Sequence, residues 1–465
     1  MISISKSIIG IHNERQFGFH RRNQDLYRRA GLAGPSTGAA SPIMTNTLRG
    51  VMMRRSVISP IRIAMAVLSM AGVITALSAA SASASTSKAP IIIGYITDET
   101  GAAASTYINA IQGAQARIDA QNAIGGVNGH KLELVAEDDQ STPTGNSTAA
   151  HLLVSKGAFG IIQDDSGAFG SSRYLNQLGI PVVGASVDGP EWGEQPNTNM
   201  FSIVDLYSTT PFNGYYYTYS SSGAELKALH VTKLAQVVFN ISSAINAAST
   251  IFDQAKSYGV SDCLDALLPS SGNLNPTVLQ IKQLGCNGVE VLSVLSTCIT
   301  LATDLQQADV KAKLICATAY DQSLLNQPSA LAAMQGTYTT ALINVLAKNP
   351  TPAVALFLAR LKKYTSFSGG IPSDNIEYSY MAADAMIKGL ELAGPNPTRK
   401  AFITNLRKVS DYTVEGLLTT PIIFSHFGTL GMIPKQSCGP LLEIKGKAFV
   451  PAVNVCGTLV RGAKA

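Results

Sequence analysis

Residues 91–143 restrict the fold more than any other segment. An apolar run, Ile91-Ile92-Ile93-Gly94-Tyr95-Ile96, leads through Thr100-Gly101 into a stretch with helical periodicity. The turn Gly125-Gly126-Val127-Asn128-Gly129 follows, and a second strand over residues 132–136 closes on Glu137-Asp138-Asp139. Tyr107, Ile111, Ala114 and Ile118 recur at spacings of four, three and four, which predicts one buried helix stripe that Gly125-Gly126 ends. The segment therefore reads as a β-α-turn-β unit. Further strands are expected at residues 160–162, 181–184, 235–240, 289–295 and 313–317, each followed by a helical or loop segment, and a β-rich tail at residues 420–460. This alternation predicts an α/β protein with parallel sheets and right-handed crossovers. No internal repeat is visible.

The preceding segment has the pattern of an export signal. Arg54, Arg55 and Arg62 give it a positive start, residues 63–77 an apolar core, and Ala80-Ser81-Ala82-Ser83-Ala84 small-residue cleavage sites after Ala82 or Ala84. The core is shorter than the roughly 20 residues that span a bilayer. Residues 52–84 are thus expected to be a signal peptide starting at Met52 or Met53, with residues 1–51 ahead of the true start; the alternative is a long leader, and either way they lie outside the fold. No cysteine near the cleavage region offers a lipid anchor. The mature chain is expected in the periplasm or on the extracellular face of the cell envelope.

Charge is read without the leader. Residues 1–84 hold ten of the 35 Lys and Arg and two of the 30 Asp and Glu, leaving 25 minus 28, or −3. The basic balance of the whole chain belongs to the leader, so no nucleic-acid partner is expected. A remainder of this length exceeds a usual single core and favours two lobes.

All six cysteines follow the leader, and an even count in an exported chain predicts disulfides. Sequential pairing is expected: Cys263 with Cys286, Cys298 with Cys316, and Cys438 with Cys456, the last flanking two strand-like runs around the turn Lys445-Gly446-Lys447. There is no Cys-x-x-Cys, and His130, His151, His230 and His426 stand at no metal-ligand spacing. Ser186 lacks the second glycine of a nucleophile elbow, and no phosphate-loop or dinucleotide fingerprint occurs. No metal, cofactor or enzymatic activity is expected.

Gly94 to Gly101 with the Gly113-Ala114 helix, the turn at 125–129, Gly179-Ile180-Pro181-Val182-Val183 leading to Pro190-Glu191, residues 380–394, and Phe449-Val450-Pro451 occur in a specific order and spacing. Through them residues 91–456 resemble the leucine/isoleucine/valine-binding proteins, the type I periplasmic binding proteins of ABC importers. The resemblance implies two Rossmann-like lobes with parallel central sheets joined by a three-stranded hinge. Crossings are expected near Val204, at 338–342 and at 428–433. Residues 86–204 and 342–430 would form lobe 1, and residues 205–341 and 431–461 lobe 2. It further implies a monomer that captures a small-molecule solute, an amino acid or related organic compound, and delivers it to ABC permease transmembrane subunits. The alternative is a sensory protein of the same fold that reports its ligand to a receptor.

The resemblance also carries the candidate contacts. Relatives hold a ligand carboxylate with a Ser and backbone N–H groups after the third strand; Ser166, Gly167 and Ala168 match. A Ser there is also an ordinary helix N-cap, and Asp164 and Asp165 repel an anion unless they turn away. In the next loop Ser186, Val187 and Asp188 fall on head-group positions. Asp188 replaces the family's Thr, which suits an ammonium and opposes a carboxylate, or it is a solvated turn residue. On lobe 2, Asn240 ends the strand after which relatives carry a covering aromatic, absent from Ile241-Ser242-Ser243. Tyr320 or Asp321 stands where relatives have Glu, although an Asp at a helix start is commonly a cap. Tyr107 lies beside a ligand-facing aromatic position but belongs to the buried stripe, and Trp192, the single tryptophan, follows the second loop.

Overall fold

The computed structural model describes residues 88–185, 188–192, 196–204, 215–219, 221–269, 272–341, 343, 350–418, 421–426 and 436–464. The leader, the signal segment and the crossing at 428–433 lie outside the described residues.

The first half builds one sheet. β1 (Lys88–Thr97) is followed by α1 (Ala104–Tyr107), α2 (Ile111–Ala123), β2 (His130–Asp138), α3 (Pro143–Ser155), β3 (Gly160–Asp164), α4 (Ser172–Gln177), β4 (Val182–Gly184) and β5 (Met200–Ser202). The five strands are parallel, in the order β2-β1-β3-β4-β5. Successive strand residues face opposite sides. Ile161, Val182 and Met200 pack with Leu153 and Leu175, while Ile162, Val183 and Phe201 pack with Met386 and Phe402. Burial on both faces is why these strands read as unbroken apolar runs.

The helix stripe expected over residues 107–118 is broken. Asn109 has φ 63°, and Ile108 next to it is 66% exposed. Asn is among the few residues that enter the left-handed region readily, because its short amide bonds locally. Ala114 and Ile118 keep to the core, but Tyr107, at the end of α1, packs with Ala103 and Ala110 instead. The turn after α2 is as expected: Gly126 has φ 77°, and a Cβ there would collide with the His130 carbonyl oxygen.

The second half comprises β6 (Tyr215–Tyr219), α5 (Ser221–Ala228), β7 (Lys233–Val238), α6 (Ser242–Ser257), β8 (Ser261–Leu267), α7 (Asn275–Leu284), β9 (Gly288–Leu292), α8 (Leu295–Gln307), β10 (Lys313–Cys316), α9 (Gln322–Leu325), α10 (Pro328–Ala333) and β11 (Tyr338–Thr340). Strands β8-β7-β9-β10-β11 are parallel and repeat the order of the first sheet. The repeat absent from the sequence is thus present in the topology.

The chain then returns to the first sheet with α11 (Pro352–Tyr364), α12 (Asp374–Ala393) and α13 (Arg399–Leu406). Ser373 and Thr398 cap α12 and α13, accepting from the Ile376 and Ala401 amides. Gly113 lets α2 press against α12, since a Cβ there would collide with the Ile376 carbonyl oxygen. At that contact Arg117 Nε meets Asp384 Oδ1 at 2.6 Å, and Tyr412 donates to Asp384 Oδ2 at 2.6 Å. Finally β12 (Gln436–Lys445) and β13 (Ala448–Lys464) pair antiparallel and extend the second sheet as β11-β12-β13-β6. All three disulfides form in the expected sequential pairing, Cys263–Cys286, Cys298–Cys316 and Cys438–Cys456.

Candidate functional site

Open α/β sheets bind ligands outside the carboxyl ends of their strands, where the strand order reverses. In the first sheet that point lies between β1 and β3, whose ends run into Thr97-Asp98 and Asp164-Asp165; in the second it lies between β7 and β9. Two contacts bring these edges together. Phe239, the residue after β7, packs against the cluster of Ala103, Tyr107 and Ala110. Asn246 of α6 donates its Nδ2 to the Asp188 carbonyl oxygen at 3.4 Å.

The first-sheet side of this cleft is lined with buried carboxyl groups. Asp98, Asp139 and Asp188 are 0% exposed, and Asp164 and Asp165 are 3% exposed. Asp98 Oδ1 accepts from the Ser166 amide at 3.5 Å, and Asp165 Oδ1 from the Gly167 amide at 2.7 Å. Asp139 Oδ1 accepts from the Ser141 amide at 2.9 Å, and Tyr95 donates to Asp164 Oδ2 at 3.2 Å. Trp192 Nε1 donates to Asp188 Oδ1 at 2.7 Å. Asp98, Asp165 and Asp188 each keep one oxygen, Oδ2, with no hydrogen-bond partner among the described residues. Among the described residues none of the five carboxyls forms an ion pair with Lys, Arg or His.

Burial without a counter-charge holds Asp98, Asp164, Asp165 and Asp188 toward the neutral form. Burial, then the hydrogen bond and charge of Asp139, pushes Asp98 up to about 9. Burial, then the charges of Asp139, Asp188 and Asp98, raises Asp165 well above the carboxylate range. Asp164 is raised by burial, and Asp188 by burial to about 6 against the lowering hydrogen bonds of Glu191 and Trp192. The phenol of Tyr107 is raised by burial and by the charges of Asp98, Asp164, Asp165 and Asp188.

The sequence candidates are placed as follows. Ser166 and Gly167 line the cleft with their amides turned to aspartates, and Ala168 begins a short 3-10 turn. Asp188 is buried in the cleft, while Ser186 and Val187 lie outside the described residues. Tyr107 is there too, under Phe239. Asn240 is exposed. Tyr320 is buried in the second half, edge-on to Phe449 with ring centroids 5.0 Å apart. Asp321 caps α9, accepting from the Ser323 amide at 2.6 Å.

Sequence reasoning missed Asp98, Asp139 and Phe239. Residues 241–243 carry no aromatic, and Phe239, just upstream of them, packs on Tyr107 at the cleft edge. The available signal was position, since each of the three directly follows a strand or its last residue at a carboxyl edge. A recess of about 460 Å³ lined by Pro90, Ile92, Phe159 and Arg399 lies at the opposite, amino ends of β1 and β3. Its Arg399 is engaged with the Ala158 and Phe159 carbonyl oxygens. Among the described residues no group of three or more His, Cys, Asp or Glu converges as a metal site.

A family model described as periplasmic binding protein matches residues 90–438. Similar solved structures include a solute-binding protein of an ABC transporter from R. palustris in complex with benzoate, at TM-score 0.61 and 15% identity over 81% of this chain and 98% of that one. Another is the branched-chain amino acid transporter substrate-binding protein LivJ from Streptococcus pneumoniae in complex with isoleucine, at TM-score 0.60 and 14% identity over 80% and 100%. A third is a fatty acid ABC transporter substrate-binding protein from Thermomonospora curvata, at TM-score 0.60 and 17% identity over 80% and 92%. No curated protein matches the sequence.

Proposed function

The chain belongs to the periplasmic binding protein family, and we propose that it is an exported, monomeric protein that captures a small organic solute between two lobes and delivers it to the permease subunits of an ABC importer. Residues 86–204 and 342–430 form one lobe in this reading, and residues 205–341 and 431–461 the other. The observation that carries it is the opposition of the two carboxyl edges, with Phe239 on Tyr107 and Asn246 on Asp188. A solute that touches both edges favours the closed arrangement by its differential affinity, and a permease can then distinguish loaded from empty protein. The solute leaves chemically unchanged.

A thermal-shift screen against a broad panel of solutes tests this reading. A binder of the folded state raises the melting temperature by mass action. X-ray scattering with and without the hit must then record a more compact particle. If no low-molecular-weight compound is retained, or if scattering is unchanged by a tight binder, the reading fails.

A further inference from the structure

Resting on that reading, we infer that the solute is an organic cation without a carboxylate, an amine or guanidinium compound whose N–H groups meet Asp98, Asp165 and Asp188 and whose carbon frame lies under Tyr107 and Phe239. The amides that suit an anion are already committed. Those of Ser166 and Gly167 point at Asp98 and Asp165. A solute carboxylate in their place would meet carboxyl groups and, among the described residues, no ion-paired cation.

The unpartnered oxygens of Asp98, Asp165 and Asp188 call for donors. An ionised carboxylate only accepts hydrogen bonds. Asp98, Asp165 and Asp188 are all at least nine-tenths buried and each presents an oxygen with no partner among the described residues. A Cβ built on Gly167 would stand 3.5 Å from Asp139 Oδ2, which puts this fourth carboxyl, from the end of β2, beside the same loop. Facing them from the neighbouring elements are Asp164, Glu191 and the phenols of Tyr95 and Tyr107, every one acidic. Ammonium and guanidinium groups bring several N–H donors and a full charge, and they are attracted to aromatic faces such as those of Tyr107 and Phe239. A bare metal ion is disfavoured because the carboxyls do not converge as a metal site among the described residues.

Proton linkage follows. Without the cation Asp98 and Asp165 hold protons near neutral pH, and binding expels them. Affinity therefore rises with pH, by roughly tenfold per unit for each proton released.

The test is titration calorimetry on the exported, disulfide-bonded chain at pH 6 and pH 8, with agmatine, butylamine, leucine, benzoate and calcium chloride as probes. The expected result is that agmatine or butylamine binds, at least about tenfold more tightly at pH 8, and the other three do not. Asp165→Asn is expected to weaken that binding at least about tenfold while raising the melting temperature of the solute-free protein, since it removes the cost of keeping a proton on a buried carboxyl that the unfolded chain sheds. Loss of binding with a lowered melting temperature, or binding that Asp165→Asn leaves intact, overturns the assignment. If leucine, benzoate or calcium binds and neither amine does, the cation inference falls and solute capture stands. If no probe binds and a broader panel is equally silent, both fall.

Discussion

Trp192 donates its indole N–H to Asp188 Oδ1 at 2.7 Å, which ties the chain's single tryptophan to the cleft loop that Asn246 reaches from the other half. Any solute that engages Asp188 alters the electrostatic surroundings of the indole. Tryptophan emission is therefore expected to change on solute binding, and Asp188→Ala to abolish both the change and the binding of an ammonium-bearing solute. Fluorescence titration checks this, and an emission that stays constant while calorimetry records binding refutes it.

Asn246 Nδ2 spans the cleft to the Asp188 carbonyl oxygen with a neutral hydrogen bond, whose net worth is about 1 kcal/mol. Asn246→Ala is expected to weaken solute affinity roughly fivefold while the urea midpoint stays where it was. An unchanged dissociation constant would remove this bond from the closed state.

Glu290 of β9 and Glu225 of α5 are buried in the second half, and burial raises them to about 7 and about 8, with the Glu290 charge adding to Glu225. An unfolded Glu ionises near 4.3. Between that pH and about 7 the unfolded chain sheds the Glu290 proton that the folded chain keeps, so stability falls as pH rises and levels off above 7. Glu290→Gln is expected to raise unfolding free energy at pH 8 by about 3–4 kcal/mol and to leave it unchanged near pH 4. Urea unfolding at the two pH values decides.

Asp384 accepts from both Arg117 and Tyr412 in the contact between α2 and α12. Asp384→Ala leaves the buried Arg117 guanidinium with only the longer contact to Glu415 and the hydrogen bond to Gln121, which costs about 2–4 kcal/mol. Replacing the pair together, Arg117→Met with Asp384→Leu, is expected to cost clearly less. Denaturant melts of the single and double variants measure the difference.

The α/β alternation, the parallel strands 3 and 4 and the three cysteine pairs were readable because apolar runs, glycine turns and short loops are local signals. β5 and β8 were not: Met200–Ser202 is three residues long, and Ser261–Leu267 interleaves Asp262 and Asp265 with its apolar residues. Asn109 broke a regular helical period because left-handed backbone is set by one side chain, which a pattern of apolar spacing does not register. In the cleft, Ser166 and Asp188 could be named from loop position. The role of Ser166 could not, since whether its amide is free depends on Asp98, 68 residues away in sequence. Carboxyl burial is likewise a property of four strand ends brought together.

The order in which the chain visits its sheets governs when it can fold. Met386 and Phe402, on helices α12 and α13, cover Ile162, Val183 and Phe201 of the first sheet, and the pair β12-β13 completes the second. A nascent polypeptide that has reached only residue 340 holds eleven strands, and Ile162, Val183 and Phe201 still lack the cover of Met386 and Phe402. Native closure of either half must wait for the last tens of residues to be synthesised. Until then the polymer stays open, the form in which a chain can be threaded through a narrow pore, and also the form most exposed to sticking to its neighbours.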